Sequence, residues 1–163
     1  MPLRANNIPP ALMARLDEVA LASSELQDEW WVIGSSAMLL IGLRSTFVED
    51  VDVLTSHRDA MTLFRRWKGQ RRPAHSTGSD LFRSTFGRFF DIPFPLEVMG
   101  DLQVRCETEW VKVRPESRIE IEIHSGVIFI PSLDDQIKIA RQFGRPKDLL
   151  RAEGLEKLKP FST

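Results

Sequence analysis

A single cysteine, Cys106, stands among the 163 residues. No disulfide can close within the chain, and no cysteine cluster can hold a metal. Long apolar runs are missing too. The longest, over residues 37–41 and 127–130, are a fraction of the roughly 20 residues a membrane span needs. The first seven residues hold no apolar stretch of a secretory signal, so a reducing, cytoplasmic setting without membrane is expected. Repeats, low-complexity tracts and linkers are also lacking, and residues 1–163 are expected to form one domain. What the chain does have is apolar bulk. Four Trp and ten Phe are too much surface to leave solvated, which excludes a disordered tail protein.

The formal charge is −1, which argues against a general nucleic-acid coat. Its distribution is uneven. Residues 1–56 carry −5, residues 57–90 carry +6, residues 91–125 carry −4 and residues 126–163 carry +2. An acidic segment followed by a basic one suits a metal site beside a polyphosphate site. It also suits a solvated basic helix face over residues 57–72, and the charge alone does not separate the two.

Periodicity gives a coarse order of elements. Apolar residues at three- and four-residue steps (Leu12, Leu16, Val19, Ala20, Leu26) predict a helix over 9–28. Residues 30–33 read as a buried strand ended by Gly34, with core on both sides of Trp30 and Trp31. A second helix follows over 37–42. Residues 51–54 read as a strand, and 57–68 as a helix with Met61, Leu63, Phe64 and Trp67 on its apolar side. A loop is expected over 69–80. Strands are expected over 83–92, 96–104 and 110–113, and a hairpin over 118–130 turning at Ser125-Gly126. There Glu120, Glu122 and His124 would share the outer face. Ser132 reads as the cap of a helix running to about Phe143 and closed by Gly144. A last helix is expected over 147–158.

Asp50 and Asp52 sit one residue apart at the head of an apolar strand. Alternating side chains share a face there, so both carboxylates can reach one ion. Acids at that spacing recur at 107/109 and 120/122, so context must choose among the pairs. Only the first follows a strand–Gly34-Ser35–helix unit, whose backbone N–H groups suit phosphate. Magnesium prefers one or two carboxylates, completed by phosphate oxygens and water. Glu97 is the candidate third acid, because an unpaired carboxylate in the apolar stretch 95–99 would be expensive to bury. A salt bridge to an arginine would explain it equally well. Asp91 and Asp101 are its competitors, with Asp101 after Gly100 reading as a turn residue. His57, His75 and His124 show no metal spacing.

Ile33-Gly34-Ser35 followed by Asp50-Val51-Asp52-Val53 resembles the nucleotidyltransferase superfamily. The likeness is to the branch of minimal, aminoglycoside and abortive-infection toxin-type nucleotidyltransferases. Gly42, Arg44 and Thr46 match that branch's Gly-x-Arg-x-Thr element. The stretches 130–133 and 144–149 are similar to its closing helices. The resemblance implies an α/β (α+β) fold: a mixed β-sheet flanked by helices, with an antiparallel hairpin and C-terminal helices. It implies transfer of a nucleoside monophosphate from a nucleoside triphosphate to an acceptor hydroxyl of a small molecule, RNA or protein. Asp50, Asp52 and Glu97 would then be catalytic and would bind magnesium, two ions in all. Gly34 and Ser35 would hold the nucleotide, and so would Arg44 of the matched element. Arg83 and Ser84 are further candidates for phosphate or acceptor contact. Lys138, Arg145 and Lys147 could reach the triphosphate from the C-terminal helices, or simply be solvated.

Two departures stand out. Fourteen residues separate Ser35 from Asp50, with Phe47-Val48-Glu49 looking like an insertion, and the third acid is Glu where the family often has Asp. Both fit the alternative of a non-catalytic nucleotide- or partner-binding member, such as a toxin–antitoxin component. The short chain suggests an acceptor pocket completed by a second copy or a cognate protein. A nucleic-acid binder using residues 57–90 is the third reading.

Overall fold

A computed structural model describes residues 3–4, 7–72 and 79–160 of the chain. Part of the loop expected over 69–80, His75 included, lies outside the described residues. In chain order the elements are β1 (Leu3–Arg4), α1 (Pro10–Ala22), β2 (Trp31–Ile33), α2 (Gly34–Ile41), β3 (Val51–Thr55) and α3 (His57–Arg66). Then come β4 (Phe82–Phe89), β5 (Leu96–Cys106), β6 (Glu109–Lys112), β7 (Ile119–Ile123), β8 (Gly126–Ile130), α4 (Leu133–Phe143) and α5 (Pro146–Glu156).

Two sheets result. The larger runs β2-β3-β5-β4, with β6 pairing the outer half of β5. It is mixed: β3 and β5 are parallel, while β2–β3, β4–β5 and β5–β6 are antiparallel. The smaller is the expected hairpin β7–β8, with β1 added in parallel along β7. One core joins both sheets: α1 (Leu12, Leu16, Val19) packs among Val51 and Val53 of β3, Leu96 and Val98 of β5, and Ile121 and Ile128 of the hairpin. A second cluster, with Trp31, Ile33, Leu54 and Leu102, covers the opposite face of the large sheet under Ile139 and Phe143 of α4. Adjacent strand residues face opposite sides, so Trp30 joins the first core and Trp31 the second, both nearly fully buried.

The sequence places most elements correctly and misses several ends. The first helix stops at Ala22 rather than 28: Ser23–Glu25 tightens into a 3-10 turn and Leu26 is extended. The second begins at Gly34 rather than 37, because glycine can take the left-handed φ of +72° at its first position. Met61 is exposed rather than on the apolar side of α3, where Ala60 and Leu63 face the core. Asp101 lies within β5, not in a turn; its positive φ sits where the pairing with β4 shifts register. Asp91 pairs with Arg72 at 2.5 Å. His124 falls in the hairpin turn, beyond the end of β7. Ser132 caps α4 as expected, accepting the Asp135 N–H, and Gly144 closes it at φ +70°. Among the described residues no helix is long and apolar enough to cross a membrane.

Candidate functional site

The register of the large sheet brings the acids together. Asp52 on β3 lies beside Glu97 on the parallel β5, so their side chains emerge on one face. Asp50 stands just before β3. Its carbonyl accepts a hydrogen bond from the Ser36 hydroxyl at 2.7 Å, which ties the start of the strand to the first turn of α2. Asp50, Asp52 and Glu97 each offer a carboxylate oxygen, and these lie within 4.8 Å of one another. Among the described residues no other group of three or more metal-ligating side chains is this close.

The first turn of α2 presses against this cluster. A methyl group on Gly34 would lie 2.6 Å from Asp52 Oδ2. Both the left-handed backbone and the contact therefore demand glycine. Ser35 follows, nearly buried, at the cavity wall.

Carboxylates held this close repel, and burial adds to the effect. Burial first, then the charges of Asp50 and Glu97, push the Asp52 carboxyl well above its usual range, while Lys147 opposes them. Burial, with the hydrogen bond and charge of Asp50, raises Glu97 to about 7 against the pull of Arg88 and Lys147. The arginine salt bridge anticipated for Glu97 exists, but it is long, 3.7 Å to Arg88.

The three acids line one end of a cavity of about 570 Å³ between the sheet and helices α4 and α5. Gly34, Ser35, Arg83 and Ser84 line it as well, and so do Arg145 and Lys147. Two residues of the same reading do not. Lys138 is exposed on α4 and pairs with Glu116 at 3.6 Å, and Arg44 is exposed in the turn after α2. Neither lines the cavity. Lys138 follows from the helical phase of α4, in which Gln136, Ile137 and Ala140 take the inward positions.

Sequence reasoning missed Arg151, Glu49 and the apolar wall of Phe82, Phe86, Met99 and Phe143. The alternation Phe82, Ser84, Phe86 was a period-2 signal for one strand face, but nothing local says that this face is left partly uncovered. Arg151 lies one helical turn beyond Lys147, and only the docking of α5 turns it to the cavity.

The comparisons with known proteins agree with this architecture. No protein-family model and no curated protein sequence matches the chain. Solved structures do. A candidate nucleotidyltransferase of Thermotoga maritima, TM1012, superposes with a TM-score of 0.70 at 22% identity, covering 92% of this chain and 93% of its own. The lincosamide antibiotic adenylyltransferase LnuA, solved with lincomycin bound, gives 0.59 at 10% identity over 94% of this chain and 100% of its own. The antibiotic-resistance factor ANT(2'')-Ia gives 0.54 at 12% identity, over 93% of this chain and 90% of its own. The fold is that of the nucleotidyltransferases, as the Gly-Ser and acid-pair resemblance implied. At these identities the likeness defines the fold and leaves the chemistry to the residues.

Proposed function

We propose that the chain is a magnesium-dependent nucleotidyltransferase, moving a nucleoside monophosphate from a nucleoside triphosphate to an acceptor hydroxyl. The observation that carries this reading is the cluster of Asp50, Asp52 and Glu97 against the glycine that opens α2. Three clustered oxygen donors without a cation repel one another, and the donor set suits a hard ion. Magnesium held by these acids would offset charge on the departing pyrophosphate and acidify the acceptor hydroxyl.

The chain's own residues do the rest. Backbone N–H groups at Gly34 and Ser35 face the position a phosphate would take at the N-terminus of α2. Lys147, close enough to act on both Asp52 and Glu97, and Arg151 supply positive charge to the triphosphate from α5. Glu97, outermost of the acids toward β4, takes the acceptor proton. The acceptor oxygen bonds to the α-phosphorus as the bond to the bridging oxygen breaks, and pyrophosphate leaves.

A thermal-shift panel of ATP, GTP, CTP and UTP, with and without magnesium, tests this on wild type and Asp52→Asn. A magnesium-dependent shift that the variant loses is expected. No shift with any nucleotide would favour a non-catalytic member of the fold.

A further inference from the structure

Beyond the acids, the cavity changes character. The strand order β2-β3-β5-β4 sets the glycine-led helix start at one side, Asp52 and Glu97 in the middle, and β4 at the other side. Past Glu97 the same face continues with Met99, which pairs Phe86 across β4–β5. Phe82 follows on β4, and Ile139 and Phe143 of α4 line the same part of the cavity. Phe82, Phe86, Met99 and Phe143 are half-buried rather than sealed in the core. Phe82 and Phe143 meet edge to face at 4.8 Å. The guanidinium of Arg145 lies 5.1 Å from the Phe82 ring and 5.9 Å from the Phe143 ring. Asp148 fixes it there through hydrogen bonds of 2.6 and 3.1 Å, so this end has a rigid rim.

The charges lining the cavity divide unevenly. Of its five acids, three are the clustered triad and Asp148 is engaged with Arg145. That leaves Glu49 against Arg83, Lys147 and Arg151. With the triad committed to cations and Lys147 and Arg151 to the triphosphate, only Glu49 and Arg83 remain, so the surface left for an acceptor has no net charge to hold a polycation.

Nucleotidyl transfer is an in-line displacement, with attacking and leaving oxygens on opposite sides of the phosphorus. If the triphosphate lies on the Gly34–Ser35 side, the acceptor enters from the β4 side. We propose that the apolar compartment of Phe82, Phe86, Met99, Ile139 and Phe143 is the acceptor subsite. It takes a small neutral alcohol or phenol with an apolar or ring body in preference to a polycation, for which the compartment offers no surplus of acids. The direction of entry and the charge balance rest on the nucleotidyl-transfer reading above; the apolar compartment does not.

The test uses 2-naphthol as a neutral ring-bearing hydroxyl and kanamycin as a polycation. Ligand-observed NMR titrations follow both, with and without magnesium and α,β-methylene-ATP. The full chain should bind 2-naphthol whether or not nucleotide is present. It should bind kanamycin at least about tenfold more weakly, and Phe86→Ser should weaken 2-naphthol about tenfold, the loss of one ring contact. Met99→Gln serves as a second variant should Phe86→Ser lose its near-UV circular dichroism. No binding of 2-naphthol, its displacement by nucleotide, unchanged binding in a folded variant, or tighter binding of kanamycin would each overturn the proposal. The two readings fail separately. If 2-naphthol binds and depends on Phe86 while no nucleotide binds, nucleotidyl transfer falls and the apolar subsite stands. If nucleotide binds through Asp52 and 2-naphthol does not, the subsite falls alone.

Discussion

Two sets of carboxylates in this molecule have opposite surroundings. Asp59 and Asp135 are buried and face donors. Asp59 accepts the backbone N–H groups of Gln27 and Asp28 at 2.7–3.2 Å. Asp135 accepts those of Glu116 and Ser117 at 2.9 and 2.8 Å, and the Ser117 hydroxyl. Each is an anionic staple that pins a loop to a helix start. Asp50, Asp52 and Glu97 face one another instead. A fold stabilised by buried acids surrounds them with N–H groups. A fold that turns acids toward one another keeps a charge arrangement that retained protons or a bound cation relieve.

The largest effects should come from breaking this contrast. Asp135→Ala leaves two backbone N–H groups without their acceptor. At about 1.5–3 kcal/mol for each charged hydrogen bond, we expect a loss of about 3 kcal/mol or more in denaturant melts. Asp52→Asn should do the reverse, leaving stability unchanged or raised in metal-free buffer while abolishing the magnesium-dependent nucleotide shift. Glu97→Gln should lower turnover about 10²–10⁴-fold, the range for loss of a general base, measured as pyrophosphate release once an acceptor is in hand.

Gly34→Ala sharpens the comparison at the boundary of the site. The left-handed backbone costs about 1–2 kcal/mol with a side chain, and the new methyl would displace the Asp52 carboxylate. A lower Tm and loss of the nucleotide shift should appear together.

The pH dependence separates Glu97 from a donor-facing carboxylate outside both sets, Asp28. Glu97 stays protonated in the folded chain up to about 7, whereas in the unfolded chain it ionises near its model-peptide value. Between those values the native state holds the extra proton, so this group's contribution to stability falls as pH rises from about 4.5 to about 7. The Tm in chelator should fall over that window, and magnesium should restore more at pH 8 than at pH 5.5. Asp28 behaves oppositely. Its hydrogen bond from Arg58 lowers it to about 2, so its contribution is full above about 4 and lost as pH falls toward 2. The smallest effect belongs to Lys138→Ala, which removes an exposed ion pair worth at most about 0.5–1 kcal/mol and should leave nucleotide binding intact.

Much of this was legible in the chain because the signals are local. The hairpin reads from Ile119, Ile121 and Ile123 alternating with polar residues, α4 from Ser132 and Gly144, and the acid pair from its place after Gly34-Ser35. Asp52 meets Glu97 because β3 and β5 run parallel in register; the resemblance implied that Glu97 joins the acid pair, and no spacing states the register. Helix ends were less legible where a tight turn continues the hydrophobic stripe, as at Ser23–Glu25. That Lys138 lies away from the cavity was not legible for a related reason. Charge shows in a sequence, but the direction a helix turns it depends on docking against the sheet. The apolar compartment was not legible either, since nothing local to Phe82, Phe86 or Met99 says that α4 leaves this face only partly covered.

The most direct test of the central claim is a manganese titration followed by electron paramagnetic resonance, with α,β-methylene-ATP present, on wild type, Asp52→Asn and Asp59→Asn. Depletion of the free manganese signal beyond that caused by the analogue alone, in wild type and in folded Asp59→Asn but not in Asp52→Asn, is the predicted result. Equal depletion by wild type and Asp52→Asn would contradict it, because the ion would then be held somewhere other than the three facing acids.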